Sequence, residues 1–243
     1  MGPNVSNLGV IGSGGDWNHR DLLHSQARFT KLGCCTVIRW LSVAFLVFAA
    51  LPAAATTDGW PALYDVVGVA ADDALNVRSG PGTEHEIIGT LPYDAEDIEI
   101  VRPSEDLDWG LLNFGEATGW ISLNFAVPQP GQWYGSIPKI TQCFGTEPFW
   151  SIERSLELLR FRNQDGLNIA VDEAYFIESR NRRDRFIASG SSVVNGLTLV
   201  VSNQTCSDGM SDRDYGLSVD VLVEDAFDAQ LYSGCCSIAP LSE

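Results

Sequence analysis

The stretch Leu75–Thr83, LNVRSGPGT, constrains the fold of this chain more than any other. Leu75 and Val77 alternate with Asn76 and Arg78, the period of a half-buried strand. Ser79-Gly80-Pro81-Gly82 then imposes a tight turn, because glycine takes positive φ without strain and Pro81 presets its own φ. A second landmark of the same kind follows at Gly119-Trp120-Ile121, a turn glycine feeding an aromatic strand. Punctuation of this sort belongs to short antiparallel strands rather than helices.

Six such strands are expected around the two landmarks: Asp65–Val69, Leu75–Arg78, His85–Leu91, Asp97–Val101, Trp109–Phe114 and Trp120–Leu123. Turn residues separate them at intervals of about ten residues, the spacing of a small all-β barrel. With LNVRSGPGT, IIGTL at Ile87–Leu91, the Trp109 strand and GWIS at Gly119–Ser122, the span 64–126 closely resembles the bacterial SH3-like domain. It departs from that family at Tyr93-Asp94-Ala95, where a glycine usually follows the IIGTL-like strand. The resemblance implies a small β-barrel that binds peptidoglycan or its stem peptides, without catalysis and outside the cytoplasm. Arg78, Tyr93, Trp109 and Trp120 are the candidate ligand-binding residues. Each also has a plainer role: the tryptophans as barrel core or rim, Arg78 as a donor to loop carbonyls. His85, the only histidine after residue 55, reads as a polar strand residue.

Upstream, Leu41–Leu51 is apolar apart from Ser42, follows Lys31 and Arg39, and is broken by Pro52. Ala53-Ala54-Ala55 then offers an A-x-A site. A basic flank, an apolar run and small residues make residues 37–55 a secretory signal peptide, with cleavage after Ala55. A membrane-spanning anchor would need roughly 20 apolar residues, and Arg39 and Pro52 shorten the run. Membrane contact is therefore expected only through an uncleaved signal helix. Residues 1–36 are glycine-rich and polar and are expected to be disordered. A true start at Val37 would leave an ordinary short leader and make residues 1–36, with Cys34 and Cys35, a mis-assigned start.

From Thr56 on, 30 Asp and Glu stand against 11 Lys and Arg, a formal charge of −19. Such a surface repels phosphate backbones and excludes nucleic acid as a partner. It equally disfavours anionic lipid, and fits a soluble exported protein. Four arginines gather in Arg180–Arg185, read as a solvated hairpin tip.

Residues 127–139 read as a Pro/Gly-rich, semi-rigid linker, with three prolines and two glycines in Val127–Pro138. Beyond it, strands are expected at Phe149–Arg154, Leu156–Arg162, Leu167–Val171, Ala174–Ser179, Phe186–Ser189, Leu197–Ser202, Tyr215–Val223 and Ala229–Gly234. Their β-branched and aromatic content favours sheet. The fold class is all-β: an SH3-like barrel followed by a second antiparallel barrel or sandwich, residues 140–243, behind a hydrophobic signal helix. Within this second region GTEPFW at Gly145–Trp150 (preceded by Cys143-Phe144), CSDGMSD at Cys206–Asp212 and Gly234-Cys235-Cys236 resemble, in order and spacing, an uncharacterised family of exported bacterial proteins. Gly216-Leu217 departs from it, and the resemblance carries no activity.

Four cysteines remain in the exported part: Cys143, Cys206, Cys235 and Cys236. An even count in an exported protein implies disulfides. Adjacent Cα atoms lie about 3.8 Å apart, short of the usual disulfide range, so a Cys235–Cys236 bond is not expected. Cys143 and Cys206 each take one of the adjacent pair, in either arrangement. Without C-x₂₋₄-C spacing or a histidine in this region, no metal site is expected, and no cofactor.

Glu147, Asp208 and Asp212 are the weak catalytic candidates, as a carboxylate pair for glycoside-type hydrolysis. The same residues also serve turns, by accepting backbone hydrogen bonds. The expected function is an exported cell-envelope binding protein whose partners are peptidoglycan or a peptide and an envelope protein. The alternative is a cell-wall hydrolase using those carboxylates.

Overall fold

The computed structural model describes residues 59–155 and 158–240. The expected leader, its cleavage site and residues 1–36 lie outside the described residues.

The first body contains β1 (Ala62–Val66), β2 (Ala74–Arg78), β3 (Ile87–Pro92), β4 (Ile98–Ile100), β5 (Arg102–Pro103), β6 (Trp109–Phe114), β7 (Ala117–Ser122) and β8 (Ala126–Pro128), with a 3₁₀ turn at Leu123–Phe125. They form a three-stranded sheet, β4-β1-β8, and a five-stranded sheet, β3-β2-β7-β6-β5. The inward residues Leu75, Val77, Leu112 and Ile121 meet Ala62, Tyr64, Val66 and Ile100 in one core. Alternation along β2 and β7 thus turns Asn76, Arg78, Trp120 and Ser122 outward.

The second body is a closed antiparallel barrel. Its strands are β9 (Gln142–Thr146), β10 (Phe149–Ser155), β11 (Leu158–Asn163), β12 (Asn168–Glu178), β13 (Arg185–Ser191), β14 (Gly196–Cys206), β15 (Tyr215–Glu224) and β16 (Ala229–Ser237). Around the barrel the order is β10-β11-β12-β13-β14-β15-β16-β9. Trp150, Phe161, Phe186, Leu217 and Tyr232 fill the interior, as expected of an eight-stranded barrel just wide enough for its side chains.

The second region is therefore a barrel rather than a sandwich. Its closing strand, β9, was not expected from sequence; it is short, and its glycine and polar ends hide its period. Leu167–Val171 and Ala174–Ser179 are one strand, β12, whose register shifts between Glu173 and Tyr175. That bulge interrupts the alternation and mimics a turn.

In the first body β1 sits earlier than expected, at Ala62–Val66. Ala62, Tyr64 and Val66 face the first core, whereas Leu63 packs into the core of the barrel. A strand covered on both faces loses its alternation. His85 stands in the turn before β3, not on the strand. The Pro/Gly-rich segment begins inside a strand, since β8 pairs with β1. Gln132 continues this attachment: its amide nitrogen donates to Leu63 O at 3.0 Å, and its oxygen accepts from Leu63 N at 2.7 Å.

Candidate functional site

A cleft of about 610 Å³ opens on the first body, lined by Asp73, Asn76, Arg78, Trp109, Ser122 and Phe125 among others. Its floor follows from strand pairing. Trp109 on β6 lies opposite Ser122 on β7, which puts both on the cleft, whereas Trp120, opposite Arg78 of β2, lies outside it. Arg78 does two things here. Its Nη1 donates to Thr83 O at 3.0 Å and to His85 O at 2.7 Å, holding the residues that follow the SGPG turn, of which Thr83 lines the cleft. A Cβ on Gly80 would meet the His85 ring at 2.6 Å, so a larger residue there would displace that half-exposed ring.

The four residues picked from sequence do not form one groove. Arg78 and Trp109 share the 610 Å³ cleft. Trp120 lines a separate hollow of about 460 Å³ with Arg102, Ser104 and Asp106. There the Arg102 guanidinium sits 5.2 Å from the Trp120 ring centroid, a cation–π contact. The Ser104 hydroxyl, 2.5 Å from Asp106 Oδ1, and the Asp108 amide hold the Asp106 carboxyl below its ordinary range. Tyr93 stands in the turn after β3, exposed, and lines neither hollow. Asp73, Asn76 and Ser122 were missed. Asn76 was open to detection, because it alternates with Leu75 and Val77 onto the same face as Arg78.

In the barrel the three motifs do come together. Cys143 bonds Cys236, its register partner across the β9–β16 seam, with Cα atoms 3.9 Å apart. Cys206 bonds Cys235 at a Cα separation of 5.6 Å. Thr146 Oγ1 donates to Asp208 O at 2.6 Å, joining the first motif to the second.

The carboxylates occupy turn positions. Asp208 accepts from Met210 N and Ser211 N, each at 2.9 Å, and from Ser211 Oγ at 2.8 Å. Burial pushes its carboxyl up, but these donors and Arg213 outweigh burial and hold it below its ordinary range. Glu147 is exposed in the β9–β10 turn, ahead of a cis Pro148. Asp212 N donates to Glu116 O of the first body at 3.2 Å. None of the three lines the 610 or 460 Å³ hollows.

Residues 73–125, which hold the six residues named for the larger cleft, match the bacterial SH3 domain family. A stretch of 54 residues, 22% of this chain, is 37% identical to part of a Bacillus subtilis (strain 168) protein described as "Putative N-acetylmuramoyl-L-alanine amidase YrvJ". The chain spans 10% of that relative's length. No solved structure matches this chain.

Proposed function

We infer that this protein is an exported cell-envelope binding protein whose SH3-like domain takes peptidoglycan, or a peptide of that polymer, in the cleft around Arg78 and Trp109. The observation that carries this reading is the position of the cleft: Asp73, Asn76, Arg78, Trp109 and Ser122 all fall within the residues that match the bacterial SH3 family. Its chemistry suits such a ligand. The Trp109 ring offers an apolar face, Asn76 offers amide hydrogen bonds, and Arg78 and Asp73 offer one charge of each sign. The relative's name places that protein's own action at an N-acetylmuramoyl-L-alanine bond, which agrees with a wall polymer as ligand here. Two disulfides and the leader pattern at residues 37–55 support export. The cystine-tied barrel then serves as a second recognition body, for an envelope protein.

Retention of the full chain on purified sacculi tests this reading. Wild-type protein is expected to be retained, and Trp109→Ala and Asn76→Ala to lose at least tenfold in retention while keeping the wild-type Tm. Absence of wild-type retention, or retention unchanged by both substitutions, would end it.

A further inference from the structure

Glu99 sits on β4, directly opposite Leu63 of β1, and both side chains face the barrel. Its Oε2 accepts from Ser237 Oγ, from Ile238 N at 3.3 Å and from Ala239 N at 3.2 Å. One carboxyl oxygen of the first body therefore holds the segment that leaves the last strand of the second. Its other oxygen, Oε1, is buried and has no hydrogen-bond partner. A buried carboxylate with one bare oxygen carries a desolvation cost that its neighbours do not offset.

A cleft of about 430 Å³ runs along this seam, lined by Asp97, Glu99, Asn113, Gln142, Arg213 and Tyr215 among others. Oε1 itself is closed to solvent. No solute in the cleft reaches it without movement of the walls, whereas a proton does. The charged and titratable groups around Glu99 are few. Asp97 precedes its own strand, and Arg213 and Tyr215 face it across the cleft. Arg213 is engaged by other partners, donating to Gly115 O at 2.8 and 2.6 Å, pairing with Glu116 at 3.0 Å and hydrogen-bonding Tyr215. β1 presents Leu63, β9 presents Gln142, and the C-terminal segment presents Ser237; none of these ionises.

We propose that Glu99 is a proton-operated latch between the two β bodies: neutral, it closes the seam on Ser237–Ala239; ionised, it loosens it. The sign follows from the balance at the carboxyl. Burial raises its pKa, against lowering by Ser237, Ala239 and Ile238. A group whose pKa is raised in the closed form stabilises that form fully below its free value, about 4.3 for glutamate, and progressively less as pH rises through the raised value. The latch is shut in acid and eases toward neutral and alkaline pH.

Amide hydrogen exchange of the full chain between pH 4 and 9, corrected for intrinsic rates, reads this directly. Protection of Ile238 and Ala239 is expected to fall by up to tenfold per pH unit between the free glutamate value and the raised Glu99 value and to level off above it, while Val219 and Val221 in the barrel stay protected. Glu99→Gln, which cannot ionise, is expected to flatten the profile. Ser237→Ala removes a donor that favours the charged form, and should move the transition to higher pH. If Glu99→Gln fails to fold, the Ser237→Ala shift decides. A flat wild-type profile, an unchanged profile in Glu99→Gln, or an unmoved transition in Ser237→Ala would each overturn the latch.

Discussion

Asn113 of the first body and Asp214 of the barrel exchange two hydrogen bonds. Asn113 Nδ2 donates to Asp214 O at 2.9 Å, and Asp214 N donates to Asn113 Oδ1 at 3.1 Å. A side-chain amide thus stands in for a strand at the seam, satisfying both main-chain groups of one residue. Asn113→Ala is expected to cost about 1–3 kcal/mol, by leaving those groups unpaired. Asn113→Asp keeps the acceptor but faces Asp214 O with another oxygen, and should cost more. Urea unfolding of the two variants orders them.

The two disulfides differ in the loops they close. Cys143–Cys236 spans 93 residues and Cys206–Cys235 spans 29. In the chain-entropy model the longer loop is worth about 4.6 kcal/mol and the shorter about 3.6. A Cys143→Ala/Cys236→Ala pair should therefore lower stability more than a Cys206→Ala/Cys235→Ala pair. Cys143 and Cys236 also lie in the barrel core, which widens the gap. Denaturant midpoints of the two double variants measure it.

Gly234 lets β9 close the barrel. A Cβ on it would meet Phe144 O at 2.0 Å, backbone of the partner strand. Gly234→Ala is expected to destabilise by about 3 kcal/mol, the upper range for overpacking, and to loosen the seam that Cys143 and Cys236 cross. A Cβ on Gly166, by contrast, meets nothing within 4 Å, although φ there is +89°. Gly166→Ala should cost only about 1 kcal/mol of backbone strain. Thermal unfolding of the two variants separates crowding from strain.

The Asp208 loop should be acid-sensitive. Its carboxyl is held below the ordinary aspartate value of 3.8 by Ser211, Met210 and Arg213, against burial. A depressed pKa gives stability that is present above the ordinary value and lost as pH falls through the depressed one. Exchange of the Met210 and Ser211 amides, corrected for intrinsic rates, is expected to quicken below about pH 4. Asp208→Asn should show the quickened rate at neutral pH, without further change in acid.

Much of this architecture was legible locally. Alternation at Leu75–Arg78, the SGPG turn and the GWIS strand placed the SH3-like body, and Arg78 proved to bond loop carbonyls as its position beside the turn allowed. The grouping of the four candidate residues was only partly legible. Trp109 and Trp120 are alike in sequence, yet they line different hollows, because their neighbours come from other strands. Sequence also drew attention to carboxylates in the second body, where Asp208 is occupied by its own loop. The seam carboxylate, Glu99, looked like one more polar residue in an alternating strand; only the docking of Ser237–Ala239 buries it.

Local chemistry determined where the chain turns, which segments are strands and how many cysteines must pair, because each depends on residues within a few positions of one another. Tertiary structure alone decided which cysteine pairs with which. On β16 the adjacent Cys235 and Cys236 project to opposite faces. Cys236 meets Cys143 in the barrel core, and Cys235 meets Cys206 at the end of β14. That choice depends on the register of β16 against β9, and a one-residue slip would exchange the two faces. Register across 93 residues of chain is set by which side chains fill the barrel together, a property no short stretch carries.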